Sequence, residues 1–350
     1  MVFRICFIWS SVKSPLGGTE YVMQNIINYI MQNQNSKYRV YVVDMSHKLK
    51  DNIKCAKDSD AVVLHSINPL LIKIPYLLTV NQKIIIDIHS PDWLWIYREK
   101  TYGIKPSRLT LLKRLMIGIF GKMLYCRSLN NFDYEYLSRM CKRAFLIPNP
   151  VDTKFFYPKC SKEDKFTILI RYDPSFKGGF DIFLKSLKNV KDIIHNSKVM
   201  LIGTREVSME LLSTLRRFTK VDVFVKAPRE QLPCLYSRSH VTIIPSRFES
   251  FSLIALESLS SGTPIIMSRL PPVSWYLIEI RDGSPGTGMS FNPGDPVDLA
   301  SRVRAFYDLW LNDKKTYEES TRLARRVAER FDISNVVPQY LKMIEEVINE

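Results

Sequence analysis

Nowhere do about 18 apolar residues run without interruption, so the sequence predicts no membrane-spanning helix. No tandem repeat, low-complexity tract or long disordered tail is evident, which argues against a repeat architecture. The six cysteines (Cys6, Cys55, Cys126, Cys141, Cys160 and Cys234) include no close pair and show neither zinc-ligand nor redox spacing. They read as free thiols of a reducing compartment, many of them buried. The five histidines also lack metal-site spacing. The dinucleotide fingerprint G-x-G-x-x-G is missing, which argues against a nicotinamide enzyme. The start, MVFRICFIW, is apolar but short, contains Arg4 and lacks a cleavage site. It reads as a first buried strand rather than a signal peptide. No aromatic-basic RNA-reading motif occurs.

What is present is the composition of a folded chain. The hydrophobic fraction is 46%, and 350 residues suffice for two domains with a core each. Fifty basic side chains against 35 acidic ones give a net charge of +15. Such a surface favours nucleotide phosphates, nucleic acid or an anionic membrane, without choosing among them. Short apolar runs at 3–8, 39–43, 61–64, 83–88 and 144–147 alternate with helical patterns near 19–32, 68–79, 107–125 and 133–141. The second half repeats this, with strands expected at 166–170, 199–202, 221–225, 241–244, 264–267 and 289–291, then two or three helices after Pro296. The alternation predicts an α/β fold of parallel sheets with helices on both faces. Pro148, Pro150 and Pro158 punctuate the middle. The expected division is a domain over 1–150, a linker over 151–164, a domain over 165–333 and a last segment over 334–350.

The most informative stretch is PSRFESFSLIALESLSSGTPII at 245–266, with Glu249 and Glu257 eight positions apart. Val241–Ile244 reads as a buried strand that Pro245 ends. Ser250 and Ser252 suit a helix N-cap, Leu253–Ser260 has helix-forming composition, and Gly262 and Pro264 stop it. Glu249 then lies in the loop before the helix and Glu257 inside it, about 7 Å further along an axis rising roughly 1.5 Å per residue. The backbone N–H groups of Phe251, Ser252 and Leu253 offer a phosphate cradle with partial positive charge. This arrangement suits a nucleotide sugar, with pyrophosphate at the helix start, sugar near Glu249 and ribose near Glu257. The competing reading is two solvated glutamates of an ordinary helix.

The segment resembles the Glu-x7-Glu signature of glycosyltransferase family 4, retaining enzymes of the GT-B fold. Other stretches are similar in order: Gly17-Gly18-Thr19-Glu20, then 147–152 (IPNPVD) with Phe156 and Pro158, then Arg171 and Lys177-Gly178, then 291–296 (FNPGDP) with Leu299-Ala300. The resemblance implies two Rossmann-like doubly wound domains facing across a cleft. The first is the acceptor side and the second the donor side, with residues 334–349 returning to the first. It implies that Arg171 and Lys177 neutralise the donor diphosphate without a metal or other cofactor, and that Gly17 and Gly18 let backbone approach a phosphate or sugar. It also implies that His89 lies near the donor sugar, with His65 a competitor and Asp92 a further polar candidate, and that the loop 226–230, opened by Lys226, touches the nucleotide base. Ser246 and Arg247 flank Glu249. The chain departs from the family pattern at Ile170, where glycine commonly precedes the arginine, and in the loop 172–176. It departs again at Lys226-Ala227-Pro228-Arg229 and at Arg269-Leu270-Pro271-Pro272, each in place of a glycine-containing turn.

The expected activity is retaining, metal-independent transfer from a UDP- or GDP-sugar to a lipid-linked, glycan or polysaccharide hydroxyl. The expected location is cytoplasmic, and no nucleic-acid partner is expected. Residues 108–127 (RLTLLKRLMIGIFGKMLYCR) are basic and apolar at helical spacing. They read as a crossover helix packed on the sheet, with an anionic-membrane surface at the inner face of the cell membrane as the alternative. Two other functions stay open: a non-catalytic basic protein that binds RNA or membrane on the same fold, and a GT-B phosphorylase or nucleotide-sugar hydrolase.

Overall fold

The computed structural model describes residues 2–9, 18–34, 36–44, 48–65, 73–89, 105, 108–203, 205–270, 273–281 and 283–350. They form two compact units, one of residues 1–150 with 333–350 and one of residues 151–332.

In the first unit the β-branched runs form strands β1 (Phe3–Trp9), β2 (Tyr38–Asp44), β3 (Ala61–His65), β4 (Ile84–Asp87), β5 (Tyr125–Ser128) and β6 (Arg143–Leu146). All pair in parallel, in the order β2-β1-β3-β4-β5-β6. Between them run helices α1 (Gly18–Asn33), α2 (Leu49–Lys57), α3 (Ile74–Leu78), α4 (Arg108–Phe120) and α5 (Asn131–Met140). Strands buried on both faces read as continuous apolar runs, and Ile8, Val62, Leu64, Ile84 and Ile86 build this core.

Three sequence expectations change here. The helix expected over 107–125 ends at Phe120, a 3-10 turn covers Gly121–Met123, and Tyr125–Ser128 is a strand of the first sheet, between β4 and the edge strand β6. The backbone is packed tightly at the break, where a side chain on Gly121 would meet the Met140 carbonyl oxygen at 2.3 Å. A four-residue buried strand, Tyr-Cys-Arg-Ser, directly after an apolar helix is too short to show a period of its own. Helix α2 has no counterpart in the expectations, and of the helix expected over 68–79 the described part is Ile74–Leu78. Finally, the cysteines are paired as Cys6–Cys55, Cys126–Cys141 and Cys160–Cys234, with none free. Partners separated by 49, 15 and 74 residues meet only through the fold. The reading of unpaired thiols in a reducing compartment therefore loses its basis.

The second unit has strands β7 (Thr167–Tyr172), β8 (Lys198–Gly203), β9 (Lys220–Val225), β10 (Val241–Ile244), β11 (Ile265–Ser268) and β12 (Gly288–Phe291). They are parallel in the order β12-β11-β10-β7-β8-β9. This is the doubly wound order of dinucleotide-binding sheets, and it reverses between β7 and β10. Its helices are α6 (Phe180–Ser186), α7 (Lys191–Ile194), α8 (Met209–Arg216), α9 (Leu232–Arg238), α10 (Leu253–Ser260), α11 (Val273–Tyr276), α12 (Pro296–Asn312) and α13 (Lys314–Glu329). Phe166, Ile168, Ile170, Phe183, Leu201, Phe291 and Phe306 fill its core. Asp295 caps α12 by accepting from the backbone N–H groups of Val297 and Asp298, and Pro296 supplies the favoured first helical residue. The last helix, α14 (Ile333–Asn349), belongs to the first unit, where it packs on α1. Among the described residues no helix is long and apolar enough to cross a membrane.

Candidate functional site

In the second unit the sheet reverses where β7 and β10 lie side by side, and their carboxyl ends carry the residues singled out in the sequence. Arg171 is the fifth residue of β7 and is exposed. The loop that follows is held from several sides. The Asp173 carboxylate accepts from the Ser175 N–H at 2.9 Å, and the Gly178 N–H donates to the Ser175 carbonyl at 3.0 Å. Arg247 donates to both Asp181 oxygens at 2.7 and 2.8 Å and to the Phe176 carbonyl at 3.0 Å, while its guanidinium lies 4.3 Å from the Phe176 ring centre. Arg247 is thus a brace for this loop. Gly179 has φ of +68°, and a side chain there would place Cβ 1.9 Å from the Pro245 carbonyl oxygen. Only glycine lets β7's loop pass that close to β10. The result presents Lys177 outward and exposed. Among the described residues neither Arg171 nor Lys177 has a carboxylate within ion-pair distance.

Glu249 is half-buried and accepts from the Ser246 hydroxyl at 3.0 Å. Ser252 takes the N-cap position of α10 in extended conformation. Its hydroxyl, which the sequence suggests as a cap, makes no capping bond and is buried without a partner. The first backbone N–H groups of α10 therefore lack a side-chain cap. Phe251 is buried edge-to-face on Tyr276, at 5.8 Å between ring centres, and Leu253 opens the helix. Burial, and after it the Glu249 charge, pushes the Tyr276 phenol up.

Glu257 is no solvated glutamate, since its side chain is only 13% exposed. Tyr236 donates to its Oε2 at 3.0 Å, and Arg229 Nη1 stands 3.5 Å from Oε1. Burial pushes the carboxyl up, while Arg229, the Tyr236 hydroxyl and Arg171 oppose that shift. Burial and the Glu257 charge raise the Tyr236 phenol well above its ordinary range. The Arg229 guanidinium lies 5.5 and 5.0 Å from the ring centres of Phe155 and Phe156, which fixes its direction. Arg229 and Tyr236 escaped the sequence reading. Their partnership with Glu257 spans 28 and 21 positions, and only the fold brings them together. Exposed Lys226 closes β9 with φ of +52° and donates its N–H to the Gly203 carbonyl at 2.7 Å. The left-handed turn is thus present although the glycine is not.

In the first unit, Gly18 begins α1. Gly17 and Asp92 lie outside the described residues. His89 follows β4 and is buried in a polar cluster. Its Nε2 is 3.0 Å from Asp87 Oδ1, and its Nδ1 is 3.4 Å from the Asn149 amide nitrogen. Arg127, fully buried on β5, donates to Asp87 Oδ1 at 2.7 Å, to the carbonyls of Ile147 and Pro148 at 3.1 and 2.6 Å, and to Asn149 at 2.9 Å. Tyr340 of α14 donates to Asp87 Oδ2 at 3.0 Å. Burial alone would raise the Asp87 pKa, but Arg127 and then His89 hold it far below the carboxylate range. The ring of His65 stacks obliquely on His89 at 4.4 Å, and burial, with His89 adding to it, pushes His65 down to about 3. Arg127 was hidden in a segment read as helix, and Tyr340 in one read only as a terminal helix.

His65, Asp87 and His89 bring three ligand-type atoms within 4.8 Å of one another. The donor set nevertheless does not fit a divalent ion. Both Asp87 oxygens already accept, and the Arg127 guanidinium 2.7 Å from Oδ1 supplies the positive charge.

The family described as Glycosyl transferases group 1 matches residues 153–327, half of the chain. The chain is 27% identical over 191 residues to a sulfoquinovosyl transferase of Arabidopsis thaliana, an alignment covering 52% of this chain and 36% of that protein. It is 26% identical over 284 residues to a Campylobacter jejuni N-acetyl-D-galactosaminyltransferase, covering 79% of this chain and 75% of that one. The chain thus spans about a third of the first relative's length and three quarters of the second's. Its fold is similar to that of an Anabaena protein crystallised with UDP and glucose, with TM-score 0.71 and 13% identity over 98% of this chain and all of the other.

Proposed function

The chain belongs to the glycosyl transferases group 1 family, and from that premise we propose that it is a retaining, metal-independent glycosyltransferase of the Glu-x7-Glu type. Its donor is a nucleotide-diphosphate sugar. The observation that carries this reading is a largely buried, hydrogen-bonded Glu257 on α10 together with two exposed cations, Arg171 on β7 and Lys177 in the loop after it. A buried carboxylate with acceptor capacity to spare suits a ribose diol. Cations without carboxylate partners suit a diphosphate, which gains charge as the glycosidic bond breaks. The start of α10, which no side chain of Ser252 caps, adds the backbone donors assigned to Phe251, Ser252 and Leu253 for the same anion. Glu249 is assigned to the sugar hydroxyls, Lys226 to the base side, and Gly17, Gly18 and His89 to the donor's approach from the first unit.

In the reaction, the bond between the sugar's anomeric carbon and the diphosphate oxygen breaks, and the diphosphate leaves with the electron pair. The acceptor oxygen bonds to that carbon on the same face, and its proton passes to the leaving phosphate. Arg171 and Lys177 stabilise the charge so formed, in place of a metal ion.

The acceptor is proposed to be lipid-linked and reached from an anionic membrane surface. In α4 the apolar side chains Leu111, Leu112, Leu115 and Ile119 are 44–58% exposed, beside exposed Arg108. Together they form an outward apolar stripe with a basic margin, which suits an interface. The Campylobacter relative's name contains an undecaprenol-linked glycan. The test is nucleoside-diphosphate release from UDP-, GDP- and ADP-sugars in EDTA, with the anomeric configuration of the product read by NMR. Activity in EDTA with the donor's anomeric configuration kept supports the reading. An inverted product refutes retention, and activity that needs added divalent ion refutes metal independence.

A further inference from the structure

We propose that the second unit holds an additional anion site, for a phosphate monoester, among Arg269, Arg281 and Arg302. These three side chains, with Glu279, Ile280 and Ser290, line a cavity of about 420 Å³. Arg269 directly follows β11, Ser290 is the third residue of β12, and Arg302 is on α12. The cavity therefore lies at the β11–β12 side of the sheet, whereas Arg171 and Lys177 belong to β7 and its loop, with β10 between. Arg269 is also where the sequence begins its departure from the glycine-containing pattern.

The cavity's one lining carboxylate is already engaged. Glu279 accepts from the Ser290 N–H at 3.1 and 3.2 Å and from the Ser290 hydroxyl. Arg269 Nε donates to that hydroxyl at 3.2 Å, which aims its guanidinium. Arg302 is steadied by Asp298 at 3.2 Å and keeps 38% of its side chain exposed. Among the described residues neither Arg269 nor Arg281 has a carboxylate within ion-pair distance. Arg269 and Arg281 thus bring positive charge to the cavity without carboxylate partners of their own, and a shared oxyanion balances it. A phosphate monoester offers three terminal oxygens to three planar forks, whereas a carboxylate offers two. The phosphate can belong to a soluble molecule or to a lipid headgroup, since the same three oxygens face the site.

The test is calorimetric titration of the full chain with glycerol 3-phosphate, and sedimentation with phosphatidylcholine vesicles with and without phosphatidic acid. The wild type is compared with R269Q/R281Q and with R171Q/K177Q. Both pairs are exposed, and unchanged thermal unfolding checks their fold. We expect R269Q/R281Q to weaken glycerol 3-phosphate binding at least about tenfold, and R171Q/K177Q to leave it unchanged. Arginine-dependent binding of glycerol 3-phosphate alone assigns a soluble ligand, and arginine-dependent binding of the phosphatidic acid vesicles assigns a headgroup. Loss confined to R171Q/K177Q, or no dependence on Arg269 and Arg281 in either arm, overturns the proposal.

Discussion

At the scale of single residues, Glu257 and Asp87 are two carboxylates withdrawn from solvent and treated differently. Glu257 is buried with one neutral donor and one cation at its edge, so its carboxylate keeps acceptor capacity for a ligand. Asp87 is buried with Arg127 and Tyr340 consuming both oxygens, so it serves as an anchor. Removing one partner of such a pair leaves a bare buried charge. Arg127→Met should therefore destabilise the protein by about 3–5 kcal/mol, and the added change Asp87→Asn should recover part of that loss. Urea unfolding of the single and double variants measures both, and an undamaged single variant would contradict the assignment. The same cluster sets a pH dependence. His65, with an ordinary value of 6.5, is pushed down to about 3 and so stays neutral in the fold. His240 is likewise pushed down to about 3, by burial and then by Lys162. Between those values the unfolded chain binds protons that the native one refuses. The stability these two histidines contribute is therefore full above pH 6.5 and is lost toward pH 3. The depressed Asp87 adds a loss below about pH 4 as the unfolded carboxylate protonates. Urea midpoints that stay level from pH 7 to 4 would contradict this. The sequence offers Glu249, Glu257, Arg171, Lys177 and His89 as candidates, through the punctuation of strand, loop and helix and through the family resemblance. It does not offer Arg127, Arg229, Tyr236 and Tyr340, because long-range partners leave no local pattern.

At the scale of elements, the loop between β7 and α6 is the most constrained piece near the candidate site. Gly179→Ala combines a φ of +68° with a contact at 1.9 Å to the Pro245 carbonyl. It should cost more than about 2 kcal/mol and weaken nucleotide binding through the displaced Lys177 loop. Lys226 is the opposite case, a side-chain-bearing residue in the left-handed region at φ of +52°. Lys226→Gly should stabilise the protein by up to about 1 kcal/mol, because relief of the left-handed strain exceeds glycine's entropic cost. Thermal unfolding checks both, and destabilisation by Lys226→Gly would contradict the strain. Sequence punctuation served well where it was dense. The proline, serines and glycine around Leu253–Ser260 bound a helix whose ends the structure repeats. It failed at Tyr125–Ser128, where a buried strand with an arginine in it follows an apolar helix and only Gly121 marks the break.

At the scale of the whole molecule, two six-stranded parallel sheets make the α/β architecture of a group 1 glycosyl transferase. This architecture was legible because strand and helix periods alternate twice along the chain. The state of the cysteines was not legible, since pairing depends on which strands and helices become neighbours. Denatured, unreduced protein should titrate no thiols, and reduced protein six. Reduction should lower stability by about 3–4.5 kcal/mol per closed loop in the chain-entropy description, least for Cys126–Cys141. Six reactive thiols without reductant would contradict the pairing. The central claim, a metal-independent donor site around Glu257, is tested most directly by calorimetric titration of UDP, GDP and ADP in EDTA against the wild type and Glu257→Ala. The account predicts that one nucleotide binds in EDTA, and that Glu257→Ala weakens it by about 1–3 kcal/mol through loss of the buried acceptor. Binding of none of the three to folded protein, or equal binding by Glu257→Ala, would contradict it.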